Sequence, residues 1–365
     1  MIGYFIFCLA FSLFAFGRGG GKWVYIVVFP VFLYFLPSTG YDYDYYERAY
    51  DLSYTVPEAP FIKTKGIITA EPFYILYQGL ISVFTPFNFQ GFLVVNFILC
   101  LLLIGRFFVK IAKIDKCLML VYMAPVVAPT IFYFSPRSSI SFSLMVFALS
   151  FLVERKLLMY VAFSFLGAML HSQFLLSAAY FFAAYFVVVT FFKRSYRMTV
   201  FSIFILAVIT GMAVKLAPSM MGALSSVLSF LPSAEVAQSK LHYFNDGNSG
   251  IRITSILSIV VYPFFALLLS KVRGKYTYTR NKADNDIFCL MILSVAFLGC
   301  AVNVAYFGSP HLAGRLSRFS DYLGLIVIMP MFFMHYFNRY FSAAVGGGLV
   351  LLSPILYSAV YGGGA

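Results

Sequence analysis

Charged side chains are scarce in this chain: 11% of its 365 residues are Asp, Glu, Lys or Arg, against 62% that are hydrophobic. A surface so poor in charge cannot clothe a soluble globule, and the apolar runs recur from end to end, so a polytopic membrane protein is expected. The five cysteines, Cys8, Cys100, Cys117, Cys289 and Cys300, all lie in or at the edge of apolar runs. Neither a disulfide framework nor a paired-Cys metal site can be read from them. The stretch from Met1 to Phe16 lacks basic residues ahead of its apolar core and has no small-residue cleavage site. It is expected to be a retained first helix rather than a removed signal.

The charge that is present is unbalanced, twenty-six Lys and Arg against thirteen Asp and Glu. Its distribution explains it. Basic residues gather at Arg18 and Lys22; Arg106, Lys110, Lys113 and Lys116; Arg155 and Lys156; Lys193, Arg194 and Arg197; Lys271, Arg273, Lys275, Arg280 and Lys282; and Arg339. Cytoplasmic loops of membrane proteins collect Lys and Arg, so these six segments are assigned to the cytoplasm. With the charge spent on topology, no basic stripe is left for nucleic acid.

Threading the apolar runs between these loops predicts an all-α fold of about 12 transmembrane helices. The spans fall near 2–16, 23–36, 89–108, 117–134, 138–153, 157–170, 174–192, 198–216, 253–270, 287–307, 322–337 and 341–361. Both termini then lie outside. The chain reads as a single transmembrane domain, 1–365, with outer loops near 37–71, 217–252 and 308–321. The run PFYILYQGLISVFTP, 72–86, is too short to cross and would upset the parity of the Lys110–Lys116 loop, so a re-entrant or interfacial helix is predicted there.

The stretch from Gly40 to Tyr74 holds six of the thirteen carboxylates, among them Asp42, Asp44 and Glu71, interleaved with Tyr43, Tyr46, Tyr74 and other tyrosines. Carboxylates accept from hydroxyls and rings cover apolar sugar faces, a combination suited to a polyhydroxylated ligand. The alternative is a solvated loop with an interfacial aromatic belt. Arg137, Arg315 and Arg318 stand on the side that should be poor in arginine. A guanidinium at membrane depth costs roughly 2.5 to 3.5 kcal/mol unless compensated. Snorkelling to headgroups or pairing with Asp321 would serve for one of them; a shared polyanion such as a diphosphate, which arginine grips bidentately, accounts for three. His171 closes an apolar helix, either as a terminal hydrogen bonder or as a diphosphate contact. Gly19-Gly20-Gly21-Lys22 lacks the spacing of a phosphate loop, and Gly346-Gly347-Gly348 suits close helix packing.

In order, GYDYDYYERAYD, then Glu71-Pro72-Phe73-Tyr74, then Arg137 opening a helix that ends in Glu154-Arg155-Lys156, then His171-Ser172, then Arg315 to Tyr322, resemble the EpsG-like and Wzy-type polysaccharide (O-antigen) polymerases. Phe73 stands where that pattern often has glycine. The resemblance implies a metal-independent, cofactor-free glycosyltransferase of the bacterial inner membrane, with undecaprenyl-diphosphate-linked oligosaccharide as both donor and acceptor at the periplasmic face. Its product would be an O-antigen, capsule or exopolysaccharide, and its partners the lipid bilayer, a chain-length regulator and a flippase. The assigned roles are Glu71, Asp44 and Asp42 for catalysis; Arg137, Arg315, Arg318 and His171 for the diphosphate; and Tyr43, Tyr46, Tyr74 and Tyr322 for sugar. A lipid-linked oligosaccharide flippase and an O-antigen ligase-like transferase are the rival classes. A flippase would spread cations through its spans, whereas here the unusual residues gather on one face.

Overall fold

The computed structural model describes residues 46–48, 50–51, 72–85, 88–114, 116–123, 135–192, 195–227, 253–271, 282–307 and 309–361. The spans expected over 2–16 and 23–36 lie outside these residues, as do Asp42, Tyr43, Asp44 and Glu71. Among the described residues the secondary structure is helical, without strands. In chain order the helices are α1 (Pro72–Ser82), α2 (Phe89–Gly105, continued by the π-helical Arg106–Ala112), α3 (Lys116–Met123), α4 (Pro136–Val153), α5 (Leu157–Leu170) and α6 (Leu175–Phe192). There follow α7 (Tyr196–Val227), α8 (Ile253–Ile256, Leu257–Val261 and Tyr262–Lys271), α9 (Lys282–Ala305), α10 (Pro310–Leu316), α11 (Arg318–Leu323, Gly324–Ile328 and Met329–Tyr336) and α12 (Arg339–Tyr361).

Five of these segments are long and apolar enough to cross a membrane: Phe89–Ala112, Pro136–Val153, Tyr196–Leu216, Asn285–Ala305 and Arg318–Tyr336. Shorter apolar helices occupy several of the other expected spans. Helix α1 has 11 residues, about 16 Å of rise, roughly half the hydrocarbon thickness. Its outward side chains Phe73, Leu76 and Leu80 are exposed. Two stretches read as loop are helical instead. Helix α7 runs on to Val227, and 310–316 forms α10, because Pro310 fits the first helical turn and Ser317 lets the chain re-enter a helix at Arg318.

The chain forms two compact units, one of Met1–Ala178 with Leu325–Ala365, the other of Ala179–Gly324. The first is built around α4, whose apolar window is 83% buried, whereas that of α7 is 28% buried and presents Phe201, Ile209 and Met212 outward. Serine makes this burial of α4 tolerable. Ser139, Ser143 and Ser150 return their hydroxyls to backbone carbonyls of their own helix at 2.6 to 2.8 Å, so these three buried hydroxyls are satisfied within the helix. Ser141 donates to the carbonyl of Gly167 on α5, where a Cβ on residue 167 would stand 3.3 Å from the Ser141 carbonyl oxygen. Small residues at this crossing let two backbones approach, as is usual between membrane helices. Gly346 has the same use against α3: a Cβ there would meet Val121 Cγ1 at 2.6 Å, while Gly348 faces open space.

Contacts along α4 fix the direction of its neighbours. Asn96 of α2 meets Ser139, and Arg106 of α2 meets Ser150 and Glu154, so α2 and α4 run parallel. Helix α5 returns antiparallel after the turn at 154–156. One end of α4 therefore gathers Arg106, Lys110, Glu154 and Lys156, and the other end Asn96, Arg137 and the close of α5. At the basic end α2 and α4 stop on Lys113 and Arg155, with φ of 56° and 61°. These left-handed residues cost about 1 to 2 kcal/mol each, offset in part by a cation beside the negative end of a helix dipole.

Candidate functional site

The first unit brings together three of the residues singled out from sequence. Tyr46, in a helical turn over 46–48, packs edge-on to Tyr74 of α1, with ring centroids 5.9 Å apart at 74°. The guanidinium carbon of Arg137 lies 6.0 Å from the centre of the Tyr46 ring. Both tyrosines are buried and Arg137 is half-buried. The order of the chain explains the meeting: Pro136 starts α4 and places Arg137 in its first turn, and Tyr74 occupies the first turn of α1. A guanidinium near the positive end of a helix dipole is favourable only with rings or anions close by.

His171 stands at the same end. It caps α5 in an extended conformation, its N–H donates to the Gly167 carbonyl at 3.0 Å, and its buried ring meets Phe174 edge-on at 5.8 Å. Because Ser141 and Gly167 touch, Arg137, one turn before Ser141, and His171, one turn after Gly167, reach similar depth on adjacent helices.

Beneath the rings runs a polar chain that sequence reading did not find. The Tyr77 hydroxyl donates to Asn96 Oδ1 at 2.7 Å, Asn96 Nδ2 donates to Ser139 Oγ at 2.7 Å, and Ser139 Oγ donates to the Pro136 carbonyl at 2.6 Å. It ties α1 and α2 to the first turn of α4, the turn that carries Arg137. Its one legible signal was Asn96 standing alone in the apolar run that follows Gly91. Tyr50, one of the tyrosines of the Gly40 to Tyr74 stretch but given no role from sequence, is fully buried against Phe89 and Phe92, with its hydroxyl on the Thr85 carbonyl.

At the opposite end of α4, the Glu154 carboxylate receives Arg106 Nη2 at 2.8 and 3.0 Å, Lys110 Nζ at 2.9 Å and Lys156 Nζ at 3.0 Å. The Arg106 guanidinium also lies 4.5 Å over the Phe151 ring. Partial burial works to raise the pKa of Glu154, but hydrogen bonds from Lys110 and Lys156 and the charges of Arg106 and Lys110 outweigh it and hold the acid below its ordinary value.

In the second unit, Arg315 and Arg318 flank the break between α10 and α11 and both are half-buried, as is Tyr322. Beside Tyr322, the buried carboxylate of Asp321 accepts from Ser258 Oγ, from Asn303 Nδ2 at 3.2 Å and from Ser317 Oγ at 2.5 Å. Within α7, Lys215 Nζ lies 5.1 Å over the Tyr306 ring, a cation that sequence reading passed over. No group of three or more His, Cys, Asp or Glu that could hold a metal occurs among the described residues.

Five helices long and apolar enough to cross a membrane, beside several shorter apolar ones, mark a multi-pass membrane protein. A profile of the EpsG family matches residues 21–362, nearly the whole chain. The protein belongs to the EpsG family, whose members are Wzy-like polysaccharide polymerases. Neither the curated proteins nor the solved structures searched include a match.

Proposed function

We propose that this protein lengthens a polysaccharide by joining undecaprenyl-diphosphate-linked oligosaccharide repeat units at the periplasmic face of the bacterial inner membrane. The observation that carries the reading is the contrast between the two ends of α4. Arg106, Lys110 and Lys156 surround Glu154 at one end, and Tyr46, Tyr74 and Arg137 cluster at the other. The positive-inside rule assigns the first end to the cytoplasm. On this reading the second end faces the periplasm, where flipped lipid-linked sugars would arrive, and both chain termini lie there too.

The chemistry distributes the roles. The bond from the donor's anomeric carbon to the diphosphate oxygen breaks, and its electron pair leaves with undecaprenyl diphosphate. The terminal sugar hydroxyl of the acceptor forms the new glycosidic bond and gives its proton to a carboxylate. Arg137, Arg315, Arg318 and His171 meet the negative charge growing on the diphosphate. Glu71 takes the proton, with Asp44 and then Asp42 as the other carboxylates suited to that role. The faces of Tyr43, Tyr46, Tyr74 and Tyr322 cover apolar faces of the sugars. A chain-length regulator and a flippase would act alongside.

Purified protein supplied with one synthetic lipid-linked repeat unit, its products run on a gel, tests this directly. A ladder of lipid-linked oligomers is the expected result. Transfer of the unit to a different lipid, or movement across a vesicle membrane without lengthening, would replace the polymerase with a ligase or a flippase.

A further inference from the structure

Resting on the diphosphate role of Arg315 and Arg318, we infer that Asp321 is a positioning residue that sets where these two guanidinium groups stand. The hinge between them is a single residue, Ser317, which ends α10 and begins α11 and is 1% exposed. Its hydroxyl lies 2.6 Å from the Ala313 carbonyl and 2.5 Å from Asp321 Oδ2, one turn on either side. Asp321 Oδ1 takes Ser258 Oγ from α8 and Asn303 Nδ2 from α9. The Asn303 amide is fixed in this orientation because Nδ2 also donates to the Gly299 carbonyl at 2.9 Å, which only a donor can satisfy. One carboxylate thus fastens the hinge, and with it the last turn of α10 and the first of α11, to two other helices.

The packing agrees with a clamp. A Cβ on Gly299 would stand 3.0 Å from Ser320 Cβ, a tight contact, so glycine here eases the close approach of α11 to α9. Asp321 itself is 5% exposed, and its carboxylate accepts hydrogen bonds from Ser258, Asn303 and Ser317, at three points of the fold. Burying a carboxylate demands such compensation and makes the network costly to disturb. An alanine at 321 frees the hinge. Asparagine can keep the geometry, with its oxygen toward Ser258 and Asn303 and its amide toward Ser317.

The test measures binding of farnesyl diphosphate, a soluble lipid diphosphate, to the purified full-length chain in nanodiscs. Arg315→Ala and Arg318→Ala report on the diphosphate role itself. Asp321→Ala is expected to weaken binding about tenfold, the loss of one charge-assisted hydrogen-bond network, and Asp321→Asn to stay within about twofold of wild type. Ser258→Ala and Ser317→Ala, milder changes, are expected to weaken it by about threefold each and decide the matter if Asp321→Ala fails to reach the membrane. Wild-type binding in the Asp321 and serine variants while Arg315→Ala is impaired would overturn the clamp and leave the diphosphate reading standing. Wild-type binding in Arg315→Ala and Arg318→Ala would overturn both. An Asp321→Asn variant as weak as Asp321→Ala would show that the charge itself is needed, which the positioning role does not allow.

Discussion

Arg137 holds its guanidinium 6.0 Å above the Tyr46 ring, although the two belong to distant parts of the chain. The contact orients a cation at the rim of the helices. Cation–π contacts contribute about 0.5 to 2 kcal/mol, and more as water is excluded. Tyr46→Phe keeps the ring and is expected to preserve glycan length, whereas Tyr46→Ala shortens it. Arg137→Ala removes long chains altogether while protein stays in the membrane, and Arg137→Lys, lacking the planar fork, restores them only in part. A glycan ladder beside an immunoblot of membranes reads all four.

The amide of Asn96 is the middle link between Tyr77 and Ser139, so its loss strands the Tyr77 hydroxyl without its acceptor, while Ser139 keeps the Pro136 carbonyl. Asn96→Ala is expected to cost about 1 to 2 kcal/mol. The pair Asn96→Ala with Tyr77→Phe should be less damaging than the sum of the two single changes, because the second change removes a stranded group. Thermal melting of the purified protein in one detergent, single and double variants side by side, gives the coupling.

Glu154 supplies the acid-sensitive element at the basic end. Its pKa is lower in the folded protein than in the unfolded chain, where a glutamate titrates near about 4.3. The unfolded state therefore takes up its proton first as pH falls. The stabilisation is fully present above that unfolded value and is lost progressively below it, down through the depressed folded value. Glu154→Gln should lower the melting temperature at pH 7 and reduce the drop between pH 7 and pH 4 relative to wild type; parallel curves for the two proteins would refute this.

Two glycines should respond in opposite senses. A Cβ on Gly324 would fall 2.2 Å from the Tyr262 ring, so Gly324→Ala forces α8 and α11 apart and is expected to destabilise by about 1 to 3 kcal/mol. Gly79, in the middle of α1, has nothing within 4 Å of its added Cβ, so Gly79→Ala is expected to be neutral or to stabilise by up to about 1 kcal/mol. Melting curves on membrane extracts are sufficient to rank the two.

Class and helical content could be read from the chain alone, because they depend on local composition: apolar runs must hide their backbone in helices. The same reading picked out Tyr46, Tyr74 and Arg137, since rings and a guanidinium are conspicuous in such surroundings. It could not foresee that 310–316 would be helical, where Pro310 and Gly314, flanked by Ser309 and Ser317, resemble a loop. Nor could it distinguish the polar residues that serve as ties. Asn96 and Asn303 look alike in sequence, as isolated polar groups in apolar helices, Ser139 and Asp321 stand among other polar residues, and only packing decides which donor meets which acceptor. That decision belongs to tertiary structure because hydrogen bonds between helices depend on register and depth, which are set by contacts such as Ser141 on Gly167 and Ser320 on Gly299 rather than by neighbours along the chain.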